Sequence, residues 1–145
     1  MSRLDECRII QLHKHSARQG NLTSIEADKD VPFGIGRVYY LYDLPGGESR
    51  GGHAHRELQQ LMVCVMGAFD VILDDGKERR TIRLDRAYQG LLIRPMVWRE
   101  LENFSSGAIC LVLASEVYLE QDYIRDYQAF LAAASAHDTP GHPPR

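Results

Sequence analysis

Cysteine is scarce. Cys7, Cys64 and Cys110 are the whole complement of a 145-residue chain. An odd number with no CxxC spacing argues against a disulfide framework and against a paired-thiolate metal site. Cys64 and Cys110 lie inside apolar runs, 61–65 and 109–113, and read as small core residues. A basic excess is missing too. Seventeen Lys and Arg stand against twenty Asp and Glu, for a formal net charge of −3. Nonspecific binding of a nucleic-acid polymer needs a positive field, so that class is disfavoured; one nucleotide held by a few local arginines is not. No apolar run approaches the ~20 residues of a membrane helix. Residues 1–8 include acids and lack an apolar signal core, so a cytoplasmic chain without a secretory leader is expected.

What is present suits one globular unit. Hydrophobic residues make up 44% and charged residues 26%, enough apolar surface for a single core. A single domain over 1–134 is expected, followed by a flexible tail over 135–145. The signals are mostly of strand type. Short apolar or β-branched runs at 7–12, 21–27, 37–43, 50–55, 59–66, 68–74, 79–84, 90–94, 97–101 and 108–114 are separated by turn residues. Asp75-Gly76 is the strongest turn signal, a pair whose two positions both tolerate positive φ in a tight hairpin. Turn signals about every eight to twelve residues predict an antiparallel sandwich or barrel. The pattern then changes. Ile124, Tyr127, Phe130, Leu131 and Ala134 recur at helical spacing and predict a C-terminal helix over 119–134, packed by one stripe on the β-body.

The six histidines are unevenly placed. His137 and His142 fall in the expected tail, and His13 and His15 receive no role. His53 and His55 are two apart, so on a strand they face the same way. Two imidazoles a few ångströms apart suit metal binding or proton transfer near neutral pH. His53-x-His55-x4-Gln60-x6-Gly67 has the spacing of the first cupin motif, but Gln60 fills the carboxylate position. Arg99 stands four residues before Asn103, where the second cupin motif would supply another histidine. A divalent cation would lose its anionic ligand and one imidazole, and would meet a guanidinium instead. Proton transfer, with no metal and no cofactor, is therefore expected.

Further along, the sequence resembles the dTDP-4-keto-6-deoxyglucose 3,4-ketoisomerases. The resemblance rests on Gly20-Asn-Leu-Thr, Asp30-Val-Pro-Phe, Arg50-Gly-Gly-His-Ala-His, Val71-Ile-Leu-Asp-Asp-Gly, Pro95-Met-Val-Trp and Asn103-Phe-Ser. Leu113-Ala-Ser-Glu and Asp122-Tyr-Ile-Arg-Asp-Tyr complete an ordered series over 20–131. It implies an all-β fold, a cupin (jelly-roll) barrel with a C-terminal helix. It also implies a metal-free isomerase acting on a dTDP-linked 4-keto-6-deoxyhexose, and a homodimer with exchanged N-terminal strands.

Such an enzyme moves a carbonyl from C4 to C3 through an enediol. His53 is expected as the carbon acid/base and His55 as its partner at the oxygens. Donors for the enediolate are expected from Arg50, Arg99 and whichever of Tyr39 and Tyr40 points inward, and Gln60 is a further substrate-binding candidate. Trp98 either stacks on the base or packs the barrel. Arg37, Arg79, Arg80, Arg83 and Arg94 are unranked candidates for the diphosphate. Arg99 leans toward a product of gluco configuration. The alternatives are a cupin 3,5-epimerase, a non-catalytic nucleotide-sugar binder and a metal-dependent oxygenase, the last disfavoured by Gln60.

Overall fold

In the computed structural model, which describes residues 2–138, strand alternation builds two facing sheets. In chain order the strands are β1 (Arg8–Gln11), β2 (Lys14–Ala17), β3 (Gly20–Thr23), β4 (Arg37–Leu41), β5 (Arg50–His55) and β6 (Gln60–Met66). Then follow β7 (Phe69–Asp74), β8 (Arg79–Leu84), β9 (Gln89–Ile93), β10 (Trp98–Glu102), β11 (Ile109–Ala114) and β12 (Tyr123–Ile124), and the chain closes on helix α1 (Tyr127–His137). One sheet has the order β1-β9-β6-β11-β4 and the other β12-β5-β10-β7-β8, while β2 and β3 form a separate hairpin. Neighbouring strands in these sheets pair antiparallel. This is the jelly-roll cupin barrel with its C-terminal helix.

The burial pattern explains the sequence pattern. β6 is apolar without alternation because both of its faces are covered. Met62 and Cys64 face the barrel core with Phe69, Val71, Leu91 and Ile93. Leu61 and Val63 face outward, under Val31 and Phe33 of the 24–36 segment. The other sheet is covered on its outside by α1, where Phe130 and Ala134 meet Ala54, Met96, Trp98 and Ile124. All three cysteines are free and buried.

Four expectations change. The helix begins at Tyr127, not at 119. A 3-10 turn, Glu120–Asp122, leads into β12, which pairs with β5 through Tyr123↔His55 and Ile124↔Ala54. Ile124 shares the apolar stripe because it is buried beside Phe130, not because it is helical. Asp126 caps the true start, accepting from the Ala129 N–H at 2.9 Å.

The helix also runs beyond 134. Ser135, Ala136 and His137, expected in the tail, continue it, and Asp138 caps it with an ion pair to Arg3. His142 and the rest of 139–145 lie outside the described residues. Finally, β2 escapes the sequence pattern because all four of its residues are exposed and it pairs with β3 alone.

The 75–78 connection also differs from a two-residue hairpin. The last paired residues are Asp74 and Arg79. Gly76 takes φ 94° while Asp75 does not enter the left-handed region. Asp75 instead acts as an acceptor, for Ser2 Oγ and for the N–H groups of Lys77 and Glu78 at 2.8 and 2.9 Å. A carboxylate that gathers backbone donors stabilises a turn as effectively as positive φ permits one.

Candidate active site

β5 sends Ala54 outward under α1 and His53 and His55 inward, as alternation requires. Its entry is shaped by two glycines. Gly51 and Gly52 take φ 98° and 85°, and a Cβ on Gly51 would meet the Arg99 carbonyl oxygen and Glu100 Cα at 3.3 Å. The register between β5 and β10 slips at this point, between Arg99 and Glu100, so Arg99 lies opposite His53. Such a bulge re-aims side chains toward a site.

The imidazoles of His53 and His55 stand edge to face, ring centroids 5.0 Å apart. Tyr123 from β12 closes over both, 5.3 Å from His53 and 4.3 Å from His55. A polar chain crosses the barrel beside them. Arg99 Nη1 donates to Gln60 Oε1, and Gln60 Nε2 donates to the Tyr39 hydroxyl at 3.0 Å. Arg99 is 1% exposed and is further anchored on the Val97 carbonyl, at 3.3 Å from Nε and 2.9 Å from Nη2.

These groups open on a cavity of about 220 Å³ lined by Arg50, His53, Gln60, Met62, Arg99 and Arg125, among others. A larger depression of about 440 Å³ lies beside the β2–β3 hairpin, but Lys14, Asp85 and Tyr88 line it and no histidine does.

Burial decides the electrostatics. It lowers His53 to about 3, with the positive charges of Arg99 and Arg125 adding to the effect. It lowers His55 to about 2, again helped by Arg99 and by His53. Both are therefore neutral at pH 7. Desolvation and a fixed guanidinium hold them unprotonated. Arg99 itself is pushed down by burial to about 10 and stays charged. The Nε2 atoms of both histidines are buried without a hydrogen-bond partner.

This carries a consequence for stability. Below about pH 6.5 the unfolded chain protonates both histidines while the folded one does not. The unfolded state then binds more protons, so stability falls as pH drops from about 6.5 toward 3. Denaturant unfolding at pH 7 and pH 5 is expected to give a lower midpoint at pH 5, and a smaller drop in His53→Asn.

Of the residues read from sequence, His53, His55, Tyr39, Gln60, Arg99 and Arg50 come together. Two do not. Tyr40 lies on the outer face of β4, 60% exposed, against Tyr42. Trp98 precedes Arg99 on β10 and so points out of the barrel. It packs on Tyr127 and Phe130, and its Nε1 donates to Glu100 Oε2 at 2.8 Å.

The unranked arginines also separate. Arg79, Arg80 and Arg83 on β8 are engaged by Asp74, Asp5 and Asp70, and Arg94 donates to Gln59 at 2.8 Å. Arg37 belongs to the site. Its Nη2 donates to the Tyr123 hydroxyl at 3.0 Å while its Nε is buried without a partner. Arg125, which sequence reasoning missed, lies over the Tyr123 ring at 4.2 Å and pairs with Glu120.

Asp122 was also missed as an individual residue. Its Oδ2 lies 3.1 Å from His55 Nδ1. The signal was the Asp122-Tyr-Ile-Arg-Asp-Tyr run itself, whose first five residues precede the α-helix. Among the described residues, no group of three or more His, Cys, Asp or Glu is placed to hold a metal ion.

A cupin barrel that sets two neutral imidazoles, a tyrosine and a buried guanidinium around a small cavity defines a class: a small cupin enzyme equipped for acid–base chemistry. Within that class the chain belongs to the family described as FdtA, WxcM-like, C-terminal, which matches residues 5–135. It is 46% identical over 125 residues to the TDP-4-oxo-6-deoxy-alpha-D-glucose-3,4-oxoisomerase of Aneurinibacillus thermoaerophilus, covering 86% of this chain and 90% of that protein. The fold matches a sugar 3,4-ketoisomerase from Thermoanaerobacterium thermosaccharolyticum, solved in complex with TDP. That match has a TM-score of 0.89 and 38% identity over 92% of this chain and 97% of the other. It also matches the TDP-quinovose 3,4-ketoisomerase of Campylobacter jejuni, with TM-score 0.83 and 44% identity over 87% and 97% of the two chains.

Proposed function

We propose that this protein is a 3,4-ketoisomerase that converts dTDP-4-keto-6-deoxy-D-glucose into the dTDP-3-keto-6-deoxyhexose. The carrying observation is the pair of buried, neutral imidazoles with unpartnered Nε2 atoms beside a cavity lined by Arg50, Gln60 and Arg99. Its named relatives act as 3,4-oxo- or ketoisomerases.

The C3 hydrogen is α to the C4 ketone, so its removal gives an enediolate. His53, which lines the cavity, takes that proton from C3. His55 exchanges protons between the C3 and C4 oxygens, and His53 returns its proton to C4. The C3–H and C4=O bonds become C3=O and C4–H, with no net oxidation. Arg99, Arg50 and the Tyr39–Gln60 chain stabilise the negative oxygens as they form. The diphosphate adds negative charge to an arginine-rich site, which raises both imidazoles toward the range in which they exchange protons. No step requires a cofactor.

The product is of gluco configuration. Arg99 lines the cavity and leans the reading toward that product. The relative named for quinovose, which is 6-deoxyglucose, is 44% identical. The protein acts as a cytoplasmic homodimer that exchanges its N-terminal strands. The hairpin β2–β3, which joins neither five-stranded sheet, and the exposed Leu22, Val38 and Tyr40 support the pairing of two copies.

Incubation with the 4-keto sugar nucleotide, followed by NMR, tests the reading. The expected result is loss of the C4 ketone, a new C3 ketone and a large H4–H5 coupling. A retained C4 ketone with deuterium entering at C3 or C5 in heavy water would make the protein an epimerase. Binding without product would make it a sensor.

A further inference from the structure

His55 is fully buried, and its two ring nitrogens have opposite surroundings. Nε2 has no partner, whereas Nδ1 lies 3.1 Å from Asp122 Oδ2. That carboxylate is itself fixed. Its Oδ1 accepts from the Glu57 N–H at 2.8 Å and its Oδ2 from the Leu58 N–H at 3.3 Å. The two segments involved are tied together by backbone bonds: Arg56 N–H donates to the Asp122 carbonyl at 3.0 Å, and Tyr123 pairs with His55. Asp122 therefore has no freedom to swing away.

An ionised carboxylate accepts and cannot donate, so the neighbouring Nδ1 must carry the proton. Nε2 is then left with its lone pair. The groups around the imidazole are His53 on its own strand, Tyr123 on β12 and the cations Arg99, Arg37 and Arg125. These cations oppose the imidazolium that proton exchange must form, and Asp122 is the acid in hydrogen-bond contact with it.

We infer that Asp122 is a positioning residue for the reaction. It locks His55 in the Nδ1–H tautomer with Nε2 free to accept a proton, and it stabilises the imidazolium that results. The catalytic part of this inference rests on the isomerase reading; the tautomer does not. A carboxylate holding an imidazole in one tautomer contributes several orders of magnitude in rate where it has been removed in other enzymes.

The test begins with the unaltered protein. Long-range ¹H–¹⁵N spectra of ¹⁵N-histidine-labelled chain at pH 7, assigned with His55→Asn, are expected to show His55 protonated at Nδ1 and bare at Nε2. His55 protonated at Nε2 would overturn the inference, whatever the activity. In Asp122→Asn the amide presents an N–H to the ring, and the proton is expected to move to Nε2. With that move kcat should fall by about 10²-fold or more while KM stays within a few-fold. A kcat within threefold of the unaltered protein, with the tautomer swapped, would also overturn it. An unaltered protein that shows the Nδ1–H tautomer but fails to turn over the 4-keto sugar would refute the isomerase reading and leave the Asp122–His55 pairing standing.

Discussion

Replacing His53 by Asn is expected to lower kcat by about 10²–10⁴-fold or more while the ligand still binds. Asn fills a similar volume and keeps a polar atom in the barrel, so the fold should survive. What it lacks is a lone pair that can take and return a proton. His53 lines the cavity with Arg99 and Gln60, whereas His55 lies deeper, with no exposed surface. The imidazole that lines the cavity is therefore the proposed carbon base. Measured kcat and the dissociation constant for dTDP together decide the matter. Unimpaired turnover in His53→Asn would remove the proposed mechanism, and a parallel loss of dTDP binding would point to damage of the pocket instead.

Replacing Arg99 by Met is expected to act in two ways at once. The guanidinium contributes to the depression of both histidines. Removing a positive neighbour favours the protonated form, so both imidazoles should titrate at higher pH. Burial, the larger cause, remains, and they should stay below their ordinary value. The enediolate meanwhile loses a buried cation, for which a loss of about 10²–10³-fold in kcat is expected. Met removes the donors to Gln60 and to the Val97 carbonyl. Stability should fall unless water or Gln60 rearranges to satisfy them. NMR titration of the histidine rings, set beside kcat, separates the electrostatic effect from a simple loss of fold. Unmoved titrations would show that Arg99 does not govern the pair.

Much of this site was legible because strand geometry is a strict rule. His53 and His55 share a face by periodicity, and Tyr39 and Tyr40 must divide between faces. The structure selects Tyr39, through Gln60. The same rule, applied to Trp98 and Arg99, assigns one to the helix and the other to the barrel, but sequence alone does not say which. Arg99 was legible by position, and its burial was not, since arginines are rarely enclosed.

The 119–126 segment was misread for a physical reason. Ile124 is apolar at the spacing a helix would use, and a two-residue strand leaves no period to detect. Asp122, Tyr123 and Arg125 were hidden by that reading, although all three stand beside the histidines. The charge state of the imidazoles was equally out of reach, because it depends on enclosure by distant strands. The exposed hairpin strand β2 carried no apolar alternation at all.

The pairing of β12 with β5 has a consequence for the life of the chain. His53 and His55 are joined to the chain in its first half, but Asp122 and Tyr123 follow much later. Their anchoring helix comes later still, and Asp138 then joins Arg3 across nearly the full length of the chain. Until β12 is made, β5 lacks the strand that covers this edge of the barrel. The contacts that enclose His55, from Asp122 and Tyr123, are therefore among the last of the site to be supplied by the chain.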